Sequence, residues 1–513
     1  MISSIKDFVD YNALNYPDKI WITSPETNTA ITWSELKIFA ANISLEISKT
    51  GLNKNKPIAI ASHNSIGACL TFIGITYGGY LATPLNLISG TKALSYVINH
   101  SQVELIFLSP DNYELINDAT KKCINILKII EVDPNSGPIF NNHIEEVVKE
   151  KNTEPNPGDP ALLIYTSGTT GIPKGVLLSH VNLITAGRNV MVGHNLKPSD
   201  IAMCVLPIYH INGLCVTVLG TLVSASGLVM PYKFSLTAFW QQISKYNCTW
   251  FSAVPTLFSY LLNDQSEEKT KTGKLRFSRS ASAPLPPDIH RKFEERFNIP
   301  IIETMGLTET GAQILSNPMP PNIRKVGSAG QAVGNKIMIA DENQKPLPIN
   351  TVGEILVKGA NVMIGYLYQP EETSKTINRQ GWLRTGDLGR LDSDGFVFVT
   401  GRIKELIIKG GENIAPREID EALLKHPHIL EAAAFSVPCK NYGHQPEAGI
   451  RLKDGKEVSL DKLFEHCTSI LGSFKTPSKI HILEDLPKGS SGKVQRLKLF
   501  SIIYPKESDK IDV

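Results

Sequence analysis

Residues 162–175 read Leu-Leu-Ile-Tyr-Thr-Ser-Gly-Thr-Thr-Gly-Ile-Pro-Lys-Gly, a short apolar run that empties into glycines, hydroxyls and one lysine. That composition suits a phosphate cradle. Gly168 and Gly171 let backbone N–H groups converge on an anion, Thr166, Ser167, Thr169 and Thr170 add hydroxyls, and Lys174 supplies full charge. The P-loop pattern of Gly-Lys-Ser/Thr is not met, because Pro173 precedes Lys174 and Gly175 follows it. Taken alone, such a cluster reads equally as a flexible loop.

Four further clusters fit the same chemistry. Residues 303–310, Glu-Thr-Met-Gly-Leu-Thr-Glu-Thr, set the Glu309 carboxylate beside hydroxyls, as Mg2+ on phosphates requires. Residues 382–387, Trp-Leu-Arg-Thr-Gly-Asp, offer Asp387 as a partner for paired ribose hydroxyls. Residues 401–406 supply Arg402, and residues 486–496 present Lys493 on a glycine-flanked loop. Each has a plainer reading: Lys493 as a solvated lysine, Asp387 as a turn residue, Lys404 as part of a charged edge.

Holding such loops in place takes alternating strands and helices. Pro57–Ala61, Leu105–Leu108 and residues 161–165, 300–302 and 354–357 are short apolar runs with turn residues nearby. Between them lie helical stretches such as Pro287–Phe297, where Ile289, Phe293 and Phe297 recur at four-residue steps. The alternation predicts α/β layers. At 513 residues the chain exceeds one ordinary core. A Gly-Arg-Ile-Lys segment after a turn and strand puts the main boundary at 402/403, with domains 1–402 and 403–513.

A net charge of +2 argues against a broad nucleic-acid or anionic-membrane surface. The seven cysteines are scattered without metal spacing and read as thiols in a reducing compartment. Residues 1–7 lack the order of a signal peptide, so a cytoplasmic location is expected. Residues 201–232 carry no Asp, Glu, Lys or Arg, yet Pro207, Asn212 and Pro231 interrupt them, and a transmembrane span is not expected. Gly213, Gly220 and Gly227, seven residues apart, suit close packing in a core.

The order and spacing of the five motifs resemble the adenylate-forming superfamily of acyl-CoA synthetases, nonribosomal adenylation domains and luciferases, from about residue 8 to residue 496. The resemblance implies a large N-terminal domain of two α/β layers plus a small β-barrel, with a mobile α+β C-terminal domain joined at Lys404. It implies ATP, Mg2+ and coenzyme A. A carboxylate would attack the α-phosphorus of ATP to give an acyl-adenylate, and a thiol would then displace AMP. Carried over by residue, Thr166, Ser167, Gly168, Thr169, Thr170 and Gly171 would cradle the β- and γ-phosphates, with Lys174 nearby. Glu309 and Thr166 would hold Mg2+, and Thr308 would touch the α-phosphate. Asp387 and Arg402 would take the ribose, and Ser282, Ala283 and Pro284 would face Glu303, Thr304, Met305 and Gly306 across the adenine. Lys493 would bridge carboxylate and α-phosphate in the adenylating pose, and a swing about Lys404 would replace it with Gly410 and Gly411 beside the pantetheine channel. His210 matches a position beside the acyl pocket, or is a satisfied core histidine. Met305 stands where the family has tyrosine, and His444 where glutamate is common.

Amino-acid-activating relatives carry an aspartate for the substrate ammonium, and none is visible in residues 206–214. The expected pocket walls, residues 210–215, 251–255, 280–284 and 303–313, hold no arginine that would demand a dicarboxylate. A fatty or other aliphatic acid is therefore expected. Residues 276–283 and 316–318 nevertheless look like segments of oxalate–CoA ligases, so a small dicarboxylate stays open, as does an aryl acid. CoA is the expected thiol; loading of an acyl carrier protein is the alternative. A non-catalytic nucleotide sensor would have lost Lys174, Glu309 or Lys493, and all three are present.

Overall fold

The computed structural model describes residues 2–121, 123, 128–140, 154–166, 173–264, 272–489 and 494–505. Every residue of helix Ile66–Tyr77 is buried. A helix apolar on all sides is stable only when covered on all sides. Strands of an eight-stranded sheet cover it on one flank, helices Ile5–Asn15 and Trp33–Lys49 on another. At Gly74 an added Cβ would lie 2.5 Å from Ile43, so the glycine permits that helix–helix approach. One continuous core joins this sheet, through Ile58, Leu105 and Leu162, to a nine-stranded sheet, through Ile22, Trp250 and Phe277. These are the two α/β layers.

In the nine-stranded sheet Ile201–Met203, Trp250–Ala253, Phe277–Ser280 and Ile301–Leu307 are parallel neighbours in that order. Parallel strands deliver their following loops to one edge, where open α/β sheets bind ligands. In the other sheet, Pro160–Thr166 and Lys174–Ser179 form an antiparallel hairpin that sets Thr166 opposite Lys174. Residues 201–232 resolve into the strand Ile201–Met203, the π-helix Asn212–Val218, helix Leu219–Ser224 and strand Gly227–Val229. A Cβ at Gly213 would lie 2.3 Å from the Pro207 carbonyl, which accounts for glycine there. Among the described residues no helix is long and apolar enough to cross a membrane.

Where the resemblance implies a small barrel, the described strands form a four-stranded antiparallel sheet of Lys336–Ala340, Gly353–Lys358, Leu383–Leu391 and Val397–Arg402. Its first and last strands do not pair with each other among the described residues. From Ile407–Lys409 onward the strands belong to another sheet, packed with helices Pro416–Leu424 and Leu460–Lys475 around its own core of Ile407, Ile419, Leu423, Ile450 and Leu463. Pro287–Phe297 is a helix at the residues its periodicity predicts.

Candidate active site

Two of the site's motifs meet across a pair of neighbouring strands. Asp387 on Leu383–Leu391 lies opposite Arg402 on Val397–Arg402, and Arg402 Nε donates to Asp387 Oδ1 at 2.7 Å. Burial opposes the charge on Arg402, but Asp387, with Glu405 and Glu309 adding to the field, holds its pKa above the ordinary value. The pair lines a cavity together with Ser282, Ala283, Pro284 and Thr304–Gly306. Ser282 adopts φ 73°, a left-handed conformation that non-glycine residues keep where surrounding structure enforces it. Its neighbour strand is tied in by Thr304 Oγ1, which donates to the Ser280 carbonyl at 3.2 Å. Met305 lines the same cavity and gives it a polarizable thioether surface.

Glu303, 6% exposed, lines the same cavity. Burial pushes its carboxyl up to about 8, against the pull of Arg417. Arg417 comes from helix Pro416–Leu424 yet donates to the Val399 carbonyl, so it spans the junction between the two parts of the chain. Its Nε also donates to Glu421 at 2.6 Å. Val494 and Arg496 line the cavity as well. Arg496 Nη2 donates to Asp420 at 2.6 Å and Nε to Glu405 at 3.3 Å, which ties the segment after Lys493 to the residue after Lys404.

A second cluster gathers where the hairpin meets the Glu309 loop. Lys174 Nζ donates to Glu372 Oε1 at 2.6 Å and lies 5.1 Å from the centre of the Tyr366 ring. The Tyr366 hydroxyl donates to Glu309 Oε1 at 2.9 Å, and burial, with that carboxylate, drives its pKa far up. Lys174, then the charges of Lys375 and Lys404, hold Glu372 below the usual carboxylate range. Lys174 and Glu309 are thus linked through Tyr366 and Glu372, which the motifs do not name, while Thr166 pairs opposite Lys174 and Lys404 acts on Glu372 through its charge. Their signal was only the Gly-Tyr and Pro-Glu-Glu punctuation at 365–372. Glu309 and the Thr166 hydroxyl are hard oxygen donors of the kind Mg2+ takes, so the residues fit that ion.

Gly410 and Gly411, at φ 58° and 88°, make the turn between Ile407–Lys409 and Glu412–Ile414; side chains rarely adopt such φ values. Lys409 beside them lies over the rings of Tyr442 and Phe474. His210 packs on Tyr209 with ring centres 4.9 Å apart. His444 accepts or donates a 3.0 Å bond with Ser436. Ser167, Gly168, Thr169, Thr170, Gly171 and Lys493 lie outside the described residues.

One residue the pocket walls omit is Arg279. The predicted wall begins at Ser280 and stops one position short of it. Arg279 is 2% exposed and donates to Asn212 Oδ1, Ser252 Oγ and Gln313 Oε1 at 3.0, 2.9 and 3.3 Å. An arginine inside an otherwise fully buried strand, Phe277–Ser280, was the available signal.

A family model described as AMP-binding enzyme matches residues 9–367, and one described as AMP-binding enzyme C-terminal domain matches residues 418–493. The chain belongs to the AMP-binding enzyme family, and within it to the ATP-dependent acid–CoA ligases, which use ATP, Mg2+ and CoA. A sulfoacetate–CoA ligase of Cupriavidus necator is 41% identical, with 98% of each chain covered. An oxalate–CoA ligase of Saccharomyces cerevisiae is 34% identical over 93% of this chain and 94% of that one. The ATP-bound crystal structure of MatB from Rhodopseudomonas palustris, 28% identical, superposes with a TM-score of 0.89 over 100% of both chains; its apo form gives 0.79.

Proposed function

We propose that the chain joins a short, polar carboxylic acid to CoA in two half-reactions at one site. In the first, a carboxylate oxygen bonds to the α-phosphorus of ATP and the bond to the bridging oxygen breaks, releasing pyrophosphate. In the second, the thiol of CoA, its proton passing to solvent, bonds to the acyl carbon and AMP departs with the electron pair. The chain supplies position and charge: Asp387 and Arg402 hold the ribose, Ser282–Pro284 and Thr304–Gly306 enclose the base, and Lys174 with residues 166–171 steadies the pyrophosphate. Mg2+ held by Glu309 and Thr166 neutralises phosphate charge when bound. Lys493 acts at the α-phosphate and Lys404 is the pivot between poses. Support for an adenylating pose comes from Val494, next to Lys493, lining the cavity with Asp387 and Arg402, and from the higher score against ATP-bound MatB.

The observation that carries the acid's class is polar. Asn212, Ser252 and Gln313, from three of the expected wall stretches, are buried and hydrogen-bonded around one point. An alkyl chain against this cluster would meet a cation and polar groups and gain no apolar partner. This weighs against the fatty acid expected from the sequence, and the relatives named for sulfoacetate and oxalate agree with the polar reading. The test is product identity. With Mg·ATP, CoA and a panel of short acids, AMP, pyrophosphate and an acyl-CoA should form in equal amounts, and without CoA only a bound acyl-adenylate. Formation of ADP and phosphate, or no thioester with any acid, would defeat the reading.

A further inference from the structure

Arg279, 2% exposed, is more deeply buried than the other site-side arginines and differs from them in its partners. Arg402 pairs with Asp387, Arg496 with Asp420, and its strand neighbour Arg276 with Asp200 at 2.8 Å. Arg279 has three hydrogen-bond acceptors, Asn212, Ser252 and Gln313, and all are neutral. Among the described residues no carboxylate forms an ion pair with it, and burial alone shifts its pKa, down to about 9. It is thus still cationic at neutral pH. His194, which feels its charge, is pushed by burial and then by Arg279 to about 3 and is neutral. A buried charge without a counter-ion is unfavourable by several kcal/mol, and neutral acceptors offset only part of that.

Its position suggests what completes it. The strand carrying Arg279 runs parallel to Trp250–Ala253 and Ile301–Leu307, and Arg279 is next to last before the loop that forms the cavity wall. Asn212, which accepts from Arg279, donates through Nδ2 to Ser282 Oγ at 3.2 Å, and Ser282 lines the nucleotide cavity. Two hydrogen bonds therefore separate the guanidinium from the wall of the chamber in which the acid meets ATP. We propose that Arg279 is the counter-ion for a second anionic group of the acid, a sulfonate or a carboxylate on a short spacer, with Asn212, Ser252 and Gln313 orienting the guanidinium. This rests on the ligase reading above and narrows its substrate to short acids with two anionic groups.

The experiment compares kcat/KM for pyrophosphate release with sulfoacetate, oxalate, malonate and propionate, for the unmodified chain and for Arg279→Gln and Arg279→Lys. The unmodified chain should prefer at least one doubly anionic acid over propionate by about 100-fold or more, since loss of one partner of a buried charge pair has effects of that size. In Arg279→Gln that ratio should fall below about tenfold, and Arg279→Lys should restore part of it. Which acid wins separates sulfonate from carboxylate. As a second variant, Ser252→Asp places a carboxylate beside Arg279, keeps the charge satisfied, and should also collapse the ratio. An undiminished ratio in a folded Arg279→Gln or Ser252→Asp, or preference of the unmodified chain for propionate, overturns the assignment while leaving the ligase reading intact. No turnover of any acid defeats the ligase reading itself.

Discussion

The two halves of this site handle charge in opposite ways. On the side proposed for the nucleotide, two of the described charges have an opposite charge within the protein: Arg402 with Asp387 and Lys174 with Glu372. On the acyl side Arg279 is surrounded by neutral oxygens. A nucleotide site shared by many reactions can be balanced in advance, and its groups exchange partners when ATP arrives. A site that selects one kind of acid keeps a charge unbalanced until the right ligand supplies the opposite sign. Specificity is then the removal of a penalty as well as the gain of a contact.

The largest expected effect is on adenylation. Lys493→Ala should lower adenylation by about 1000-fold, as loss of an electrostatic stabiliser does. Conversion of supplied acyl-adenylate to acyl-CoA should fall by less than about tenfold. Equal loss in both assays would remove Lys493 from its role. Next, Asp387→Ala should raise the KM for ATP and lower stability by about 1–2 kcal/mol, a modest figure because the Arg402 guanidinium keeps contact with water. An unchanged melting temperature and KM would show that the pair is incidental.

A smaller effect is expected at the junction between the two parts of the chain. Arg417→Ala removes the donor to the Val399 carbonyl and the cation facing Glu303. If the arrangement seen here is the adenylating pose, as proposed, adenylation should drop about fivefold relative to thioester formation, because this junction contact is lost from it. A uniform drop in both half-reactions would argue against a pose-specific contact.

The smallest effect on activity is expected at Glu303, where the readout is a pH dependence of stability. Burial raises the Glu303 carboxyl to about 8 in the folded chain, above its unfolded value. The folded state therefore holds the extra proton between about 4.5 and 8, and stability falls as pH rises through that window. Glu303→Gln removes the penalty. Its melting temperature relative to the unmodified chain should rise between pH 5 and pH 8, equivalent to about 1–3 kcal/mol. A difference independent of pH would mean that Glu303 is ionised throughout.

These halves also differ in how far the sequence discloses them. Thr166, Lys174, Glu309, Asp387 and Arg402 stand out because they sit in motifs of fixed residue types and order, for which we propose phosphate, metal and ribose roles. The structure then shows why Thr166 and Lys174 belong together: they face each other across one hairpin. Strand and helix alternation was equally plain, as at Pro57–Ala61 and Pro287–Phe297, because both elements bury one periodic face. Tyr366, Glu372 and Arg417 were not visible, since they act through partners far away in sequence, 198 positions in the case of Lys174 and Glu372. Arg279 was missed for another reason. Its segment looks oxalate-ligase-like, but the expected wall starts at Ser280, one position beyond it on the same strand.

The most direct measurement is pyrophosphate release by the unmodified chain with Mg·ATP and CoA, offered sulfoacetate, oxalate, propionate and decanoate at equal concentration. The account predicts the fastest release with one of the two doubly anionic acids, release slower by about 100-fold with propionate, and none above background with decanoate. Release fastest with decanoate would contradict it, because an alkyl chain brings no opposite charge to Arg279.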